Sequence, residues 1–258
     1  MRLEQIQEII EGKSPLELQE PWDNSGFQIV TGENDIKGIL VAMEITGKVI
    51  DEAEDCGADL IVVHHPMFFN PIKAIDRKDI VGGYVVRLIK KGISVYASHT
   101  PFDKCAGGNN DYLANLLDLE DVGVMATDLS GFCRTGYVKE NISANELIDR
   151  ISKRFKIDRE FMTFAGNLNS LVKKIGICTG AGGEFLSAAA EDGCDLFVTG
   201  DVKYHTAQTA REMGFNLLDI GHYGSEKIFT ENMGDFLKKK TGLEVIQSKE
   251  NLNPFVKL

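Results

Sequence analysis

The histidines concentrate the chemistry that this sequence could perform. There are five of them, and each has a carboxylate four residues away or another histidine beside it. His64 and His65 are adjacent and precede Pro66; His99 is followed by Asp103, and His222 by Glu226, at the same interval; His205 follows Asp201 likewise. Each group comes directly after a short apolar run that reads as a strand. The histidines thus fall at or just past carboxyl ends of strands, the edge where open α/β sheets bind ligands. One histidine beside a strand is ordinarily structural. Five at such edges, interleaved with carboxylates, point to a metal site. No cysteine joins the group, so imidazole and carboxylate donors suit Zn, Fe, Mn or Co better than a structural thiolate zinc.

The donor count suggests two cations. Adjacent His64 and His65 in extended backbone point to opposite sides and do not easily chelate one ion, whereas from a loop they reach two neighbouring ions. A carboxylate bridging ions about 3.5–4 Å apart shares their charge, and Glu226 suits that role if a helix begins at His222, because residues four apart share a face. Such a pair polarises a substrate oxygen or lowers the pKa of bound water.

Other residues keep two readings open. His99 either orients Asp103 or a ligand through a hydrogen bond, or is a core histidine. Asp201 and His205 either act as general acid and base or mark a helix start with Asp201 as cap. Thr179-Gly180-Ala181-Gly182-Gly183 is either an anion-holding amide loop or a simple turn, with the turn favoured. Trp22, the only tryptophan, sits in a turn and either lines the pocket or, by default, packs. Glu44, Thr46 and Lys48 read as ordinary helix-start residues.

Positioning these groups requires a repeated strand–helix framework. Leu3, Ile6 and Ile10 share a helical face that ends at Gly12. Strands are expected at 39–43, 59–63 and 93–97, with helices between them carrying Val49, Ile50 and Ala53, then Val85 and Leu88. The second half shows a capping box, Ser143-Ala144-Asn145-Glu146, and then strands at 172–178, 196–199 and 215–219. A last helix is expected from about Ser225 to Lys240. At one constant offset, Lys37, Ile39, Ala53, Gly57, Asp59, Leu60 and Val62 fall on Lys173, Ile175, Ala189, Gly193, Asp195, Leu196 and Val198. At a slightly different offset, His99 and Asp103 fall on His222 and Glu226. This supports an internal duplication of one αβ unit. The expected architecture is α/β: two similar domains with mainly parallel sheets, 1–125 and 126–258.

Composition bounds the partners. With 43% apolar and 26% charged residues, 258 residues suffice for a packed core, which excludes disorder and coiled coil. The net charge of −11 argues against broad nucleic-acid or anionic-membrane binding, although a cation can still recruit an anionic small molecule. The five cysteines form no C-x-x-C pair and read as reduced and mostly buried. No apolar leader-like segment follows Met1 and no run of about 18 apolar residues occurs, so a cytoplasmic, soluble protein is expected.

Val63-His64-His65-Pro66, Ser98-His99-Thr100-Pro101-Phe102-Asp103, Gly200-Asp201-Val202-Lys203-Tyr204-His205 and Gly221-His222-Tyr223-Gly224-Ser225-Glu226 resemble the signature blocks of the GTP cyclohydrolase I type 2 family, also called the NGG-interacting-factor-three-like family. Pro21-Trp22-Asp23-Asn24-Ser25-Gly26 resembles its amino-terminal block, and the resemblance runs almost end to end. It implies a dinuclear site on His64, His65, Asp103, His222 and Glu226, intertwined αβ domains and a ring-shaped homohexamer. The family's Gly-Gly-Ser-Gly-like loop is replaced here by the segment from Thr179 to Gly183, which bears on substrate contacts and not on the metal ligands. The implied activity is metal-dependent hydrolysis of a small molecule, with opening of a purine nucleotide ring and loss of formate as the named candidate. A two-metal phosphoesterase and a non-enzymatic metal-binding scaffold for protein partners are the alternatives.

Overall fold

Residues 1–32 and 35–256 are described by a computed structural model of the chain. The first stretch runs α1 (Leu3–Glu11), β1 (Gly26–Ile29), β2 (Gly38–Ala42), α2 (Gly47–Cys56), β3 (Leu60–Val63), α3 (Ile80–Lys91), β4 (Ser94–Ala97) and α4 (Thr100–Lys104). Next come α5 (Asn109–Leu116), β5 (Glu120–Val124), β6 (Arg134–Ser143), α6 (Ala144–Phe155), β7 (Thr163–Ala165) and β8 (Leu171–Ile177). The chain continues with α7 (Leu186–Glu191), β9 (Leu196–Thr199), α8 (Tyr204–Glu212), β10 (Asn216–Asp219) and α9 (His222–Glu226). It ends with α10 (Phe229–Thr241) and β11 (Glu244–Gln247). Among the described residues, no helix is long and apolar enough to cross a membrane.

The residues form two compact units. The first comprises 1–106 and 229–252; the second is continuous from Gly107 to Ile228 and takes in the last residues from Asn253. This differs from a division at 125/126. The reason is α10, whose Phe229, Met233 and Leu237 are buried in one cluster with Leu3, Ile6 and Ile10 of α1.

In the first unit the strand order is β1-β4-β3-β2-β11, parallel except for the antiparallel β1/β4 edge. Every residue of β2, β3 and β4 is buried, as expected for short apolar strands covered on both faces. Alternation divides them: Leu40, Ala42, Ile61 and Val63 pack with Val49, Ile50, Val85 and Leu88 of α2 and α3. Ile39, Val41, Leu60 and Val62 face the α1/α10 cluster.

The second unit has the order β5-β6-β8-β9-β10-β7. Its β8/β9 and β9/β10 pairs are parallel and the other three antiparallel, so this sheet is mixed. Leu147, Ile148, Ile151 and Phe155 of α6 pack on Val172, Ile175, Leu196 and Val198. Phe197 and Leu217 point the other way, into a cluster with Leu186 and Ala189 of α7 and Ala210 of α8.

The duplication extends to individual hydrogen bonds. Asp59 Oδ2 accepts the amides of Lys37 and Gly38 at 2.7 and 3.2 Å, while the Asp59 amide donates to the Gly38 carbonyl. Asp195 Oδ2 accepts those of Lys173 and Lys174, both at 2.8 Å, and its amide donates to the Lys174 carbonyl. Gly57 and Gly193 precede these loops with φ of 69° and 72°. In each unit an αL glycine turns the chain out of a helix, and an aspartate then ties the start of its strand to the neighbouring strand.

Several local expectations are refined. Thr46 caps α2 through the Val49 amide, as expected. Ser143 accepts the Glu146 amide, but the Glu146 carboxylate turns to Arg150, so only half of the capping box forms. The last helix is interrupted between α9 and α10. All five cysteines are free thiols and four are buried.

Candidate metal centre

In the first unit the site begins where β3 ends. The amides of His64 and His65 both donate to the Met43 carbonyl, at 3.0 and 2.9 Å, which fixes the backbone just past the strand. His64 is fully buried, and its Nδ1 lies 3.0 Å from the Ser98 carbonyl. A carbonyl only accepts, so Nδ1 carries a proton here, and Nε2 is the nitrogen that a cation would take. That Nε2 is 3.6 Å from Asp103 Oδ1. His65 is half-buried with Nδ1 4.0 Å from Glu44 Oε2. Pro101 sits in the first turn of α4, where a proline is tolerated, and this short helix carries Asp103 one turn beyond His99.

His99 lies against both neighbours, its ring centroid 5.0 Å from that of His64 and 5.6 Å from that of His65. The three residues each offer a donor nitrogen, and these atoms all lie within 4.8 Å of one another. His99 Nδ1 is 2.8 Å from Asp23 Oδ1. Asp23 also accepts from the Thr100 and Ser25 hydroxyls at 2.6 and 2.8 Å and from the Asn24 amide at 2.7 Å. Burial alone would push the Asp23 carboxyl up. The hydrogen bond and charge of His99, with the two hydroxyls, outweigh it and hold Asp23 well below the usual carboxylate range. An ionised Asp23 thus orients His99 and leaves Nε2 to face the cluster.

In the second unit α9 places His222 and Glu226 on one face, the i, i+4 spacing read from the sequence. His222 Nε2 is 2.8 Å from Glu226 Oε2, and Nδ1 is 2.8 Å from Asp201 Oδ2. Burial would lower the His222 pKa, but the hydrogen bonds and charges of Glu226 and then Asp201 reverse this and raise it to about 10. Asp201 adopts φ of 52°, the left-handed region that aspartate tolerates better than most residues. Asp219, at the end of β10, accepts the Val202 amide with one oxygen and the Gly221 amide with the other, at 2.8 and 2.7 Å. One carboxylate therefore ties together the loops that carry Asp201 and His222.

The Asp201–His205 pairing is not formed: among the described residues no hydrogen bond or ion pair joins them, and Asp201 serves His222 instead. His205 is exposed on the first turn of α8, with Tyr204 edge-on at 5.2 Å. The loop from Thr179 to Gly183 is a structural turn. The Thr179, Gly180 and Gly182 amides are used by Asn110 Oδ1, Ser225 Oγ and Thr199 Oγ1. Gly180 has φ of 69°, and a Cβ there would run into Glu226 Oε1, so this turn needs glycine to let the carboxylate in. Trp22 is 58% exposed and is not a packing residue.

Two orienting aspartates escaped the sequence reading. Asp23 stands beside Trp22 in a recognisable block but meets His99 only in three dimensions. Asp219 closes a strand two residues before Gly221, and that spacing was the available signal.

The donor set fits a borderline transition cation. Imidazole nitrogens are held by carbonyl and carboxylate partners on their far sides, as metal-ligating histidines characteristically are, and no thiolate takes part.

The chain is similar to several known proteins. A protein of Clostridium perfringens named GTP cyclohydrolase 1 type 2 homolog is 35% identical, with 99% of each chain covered. A Helicobacter pylori protein named GTP cyclohydrolase 1 type 2 is 32% identical over 96% of this chain and 97% of its own. A Bacillus cereus structure described as related to NIF3 superposes with a TM-score of 0.94 over 100% of this chain and 99% of its own; at 22% identity it shows the fold alone. The profile of the family described as Duf34/NIF3 (NGG1p interacting factor 3) matches residues 1–254, and the chain belongs to that family.

Proposed function

We propose that the chain is a dinuclear metal-dependent hydrolase of a small molecule, with opening of a purine nucleotide ring and release of formate as its candidate reaction. The observation that carries this reading is the cluster of His64, His65 and His99 nitrogens within 4.8 Å of one another beside the buried Asp103, just past the ends of parallel strands. The names of the Clostridium and Helicobacter relatives support a nucleotide as substrate.

The proposed ligands are His64, His65, Asp103, His222 and Glu226, for two divalent cations among Zn, Fe, Mn and Co. When bound, such a pair supplies Lewis-acid polarisation and a water of lowered pKa. The chain itself orients and moves protons. The Ser98 carbonyl fixes the His64 tautomer and Asp201 holds the His222 ring. His99, oriented by Asp23, has Nε2 available to take or return a proton at the substrate. His205, open to solvent, is assigned the exchange of protons with water. The working form is proposed to be a cytoplasmic homohexamer, for which light scattering should give about six times 28.5 kDa.

The test is elemental analysis of the untagged protein, followed by assays of formate and phosphate release from a nucleotide panel. Two cations per chain and formate release are expected. Phosphate alone would replace the reaction with phosphoester hydrolysis, and release of neither from a metal-loaded protein would leave a binding scaffold.

A further inference from the structure

We propose that Trp22 and Phe69 form a docking site for a planar heteroaromatic ring beside the histidine cluster, and so select ring-bearing substrates. The inference rests on the hydrolase reading only in calling the ligand a substrate. The site lies wholly within the first unit. Trp22 meets His99 edge-on with ring centroids 5.8 Å apart and planes at 75°. Phe69 also meets His99 edge-on, at 5.5 Å and 85°. These two aromatic rings therefore adjoin a histidine whose own ring lies 5.0 and 5.6 Å from those of His64 and His65.

Neither ring is a core residue. Trp22 is 58% and Phe69 47% exposed, although both are large apolar side chains that ordinary packing would cover. Their placement is nevertheless fixed. The Asn24 side-chain amide donates to the Phe68 carbonyl at 2.7 Å, and the Phe68 amide donates to Gln28 Oε1 at 3.1 Å. Gln28 Nε2 in turn donates to the Asn24 carbonyl at 2.8 Å. This lattice ties the segment carrying Phe69 to the turn carrying Trp22. Beneath it, Asp23 holds His99 and receives the Ser25 hydroxyl, so the turn is anchored from both sides. Exposed aromatic rings on an anchored frame bind without ordering a loop first, which saves the usual entropic cost of association. What such rings recognise is another flat π-system: stacking is tolerant of ring substituents but rejects a saturated sugar or a bare phosphate. The histidine cluster alongside then meets whatever polar atoms that ring carries.

Trp22 is the only tryptophan, so emission of the full-length, metal-loaded protein excited at the red edge, where tyrosine does not absorb, reports on this site alone. The probes are GMP, AMP and CMP, with ribose 5-phosphate and inorganic phosphate as ringless controls. A saturable change in Trp22 emission is expected with the three nucleotides and none with the controls. Phe69→Ala should weaken nucleotide binding about tenfold. Phe69→Tyr should restore it, and metal content should be equal in both variants. The proposal is overturned if ribose 5-phosphate acts like GMP, if no probe changes the emission, or if Phe69→Ala binds like the parent. It is equally overturned if the emission shifts on simple dilution, because a second copy of the chain then covers the rings. Formate and phosphate assays on the same samples separate the two readings. Ring binding without turnover leaves the docking site standing and ends the hydrolase; turnover without an emission change does the reverse.

Discussion

Held between the carboxylates of Asp201 and Glu226, the His222 imidazole keeps its proton up to about pH 10 in the metal-free chain. A cation that takes Nε2 must expel that proton, so binding and protonation compete. Apparent metal affinity should therefore rise with pH across the neutral range and fall on acidification, with close to one proton released per chain in a weakly buffered titration. A pH-independent affinity would remove His222 from the ligand set. For the metal-free fold the sign is reversed. A pKa raised above the ordinary 6.5 adds stability that is full below that value and is lost as pH rises through about 10. Asp201 has a separable role, since it bonds the nitrogen opposite Glu226. Asp201→Asn tolerates the same backbone conformation but loses the charge, and should weaken metal binding by about 10–100-fold, read by chelator competition, with unchanged far-ultraviolet circular dichroism.

The paired aspartates at the strand starts set the energetics of whole elements. Asp195 satisfies two adjacent amides within β8, and its removal leaves both without their acceptor. Asp195→Ala should cost about 1–3 kcal/mol in urea unfolding, with Asp59→Ala similar in the first unit. A change below a few tenths of a kcal/mol would show that water replaces the carboxylate freely. The same elements explain what could be read from the sequence. Strands β2, β3, β4 and β9 are short, mostly apolar runs, and their two-sided burial is legible without a structure. Strand β5 leaves Glu120, Asp121, Gly123 and Val124 exposed, and β6 carries Lys139, Glu140 and Asn141 on exposed positions, so neither shows an apolar run that marks a strand. The ligand set of His64, His65, Asp103, His222 and Glu226 was implied by the resemblance of their blocks to a known family, whereas the histidines stood out because each group follows such an apolar run. Their orienting partners did not, because the contact between Asp23 and His99 is made by folding and leaves no local periodicity.

At the scale of the molecule, the return of α10 and β11 makes the first unit discontinuous. A fragment ending at Met125 lacks the strand that pairs with β2 and the Phe229, Met233 and Leu237 side chains of its core cluster. That fragment should show no cooperative thermal transition, whereas addition of a peptide spanning 229–252 should restore one. A cooperative melt of the fragment alone would mean that this core closes without them. The same discontinuity bears on birth at the ribosome. The second unit's span from Gly107 to Ile228 is synthesised whole while the first still waits for its edge strand, a delay on the order of ten seconds at usual elongation rates. Throughout that interval the α1 face and β2 edge stay uncovered on the nascent chain, so the half made first is the half finished last and is the one that calls for a chaperone.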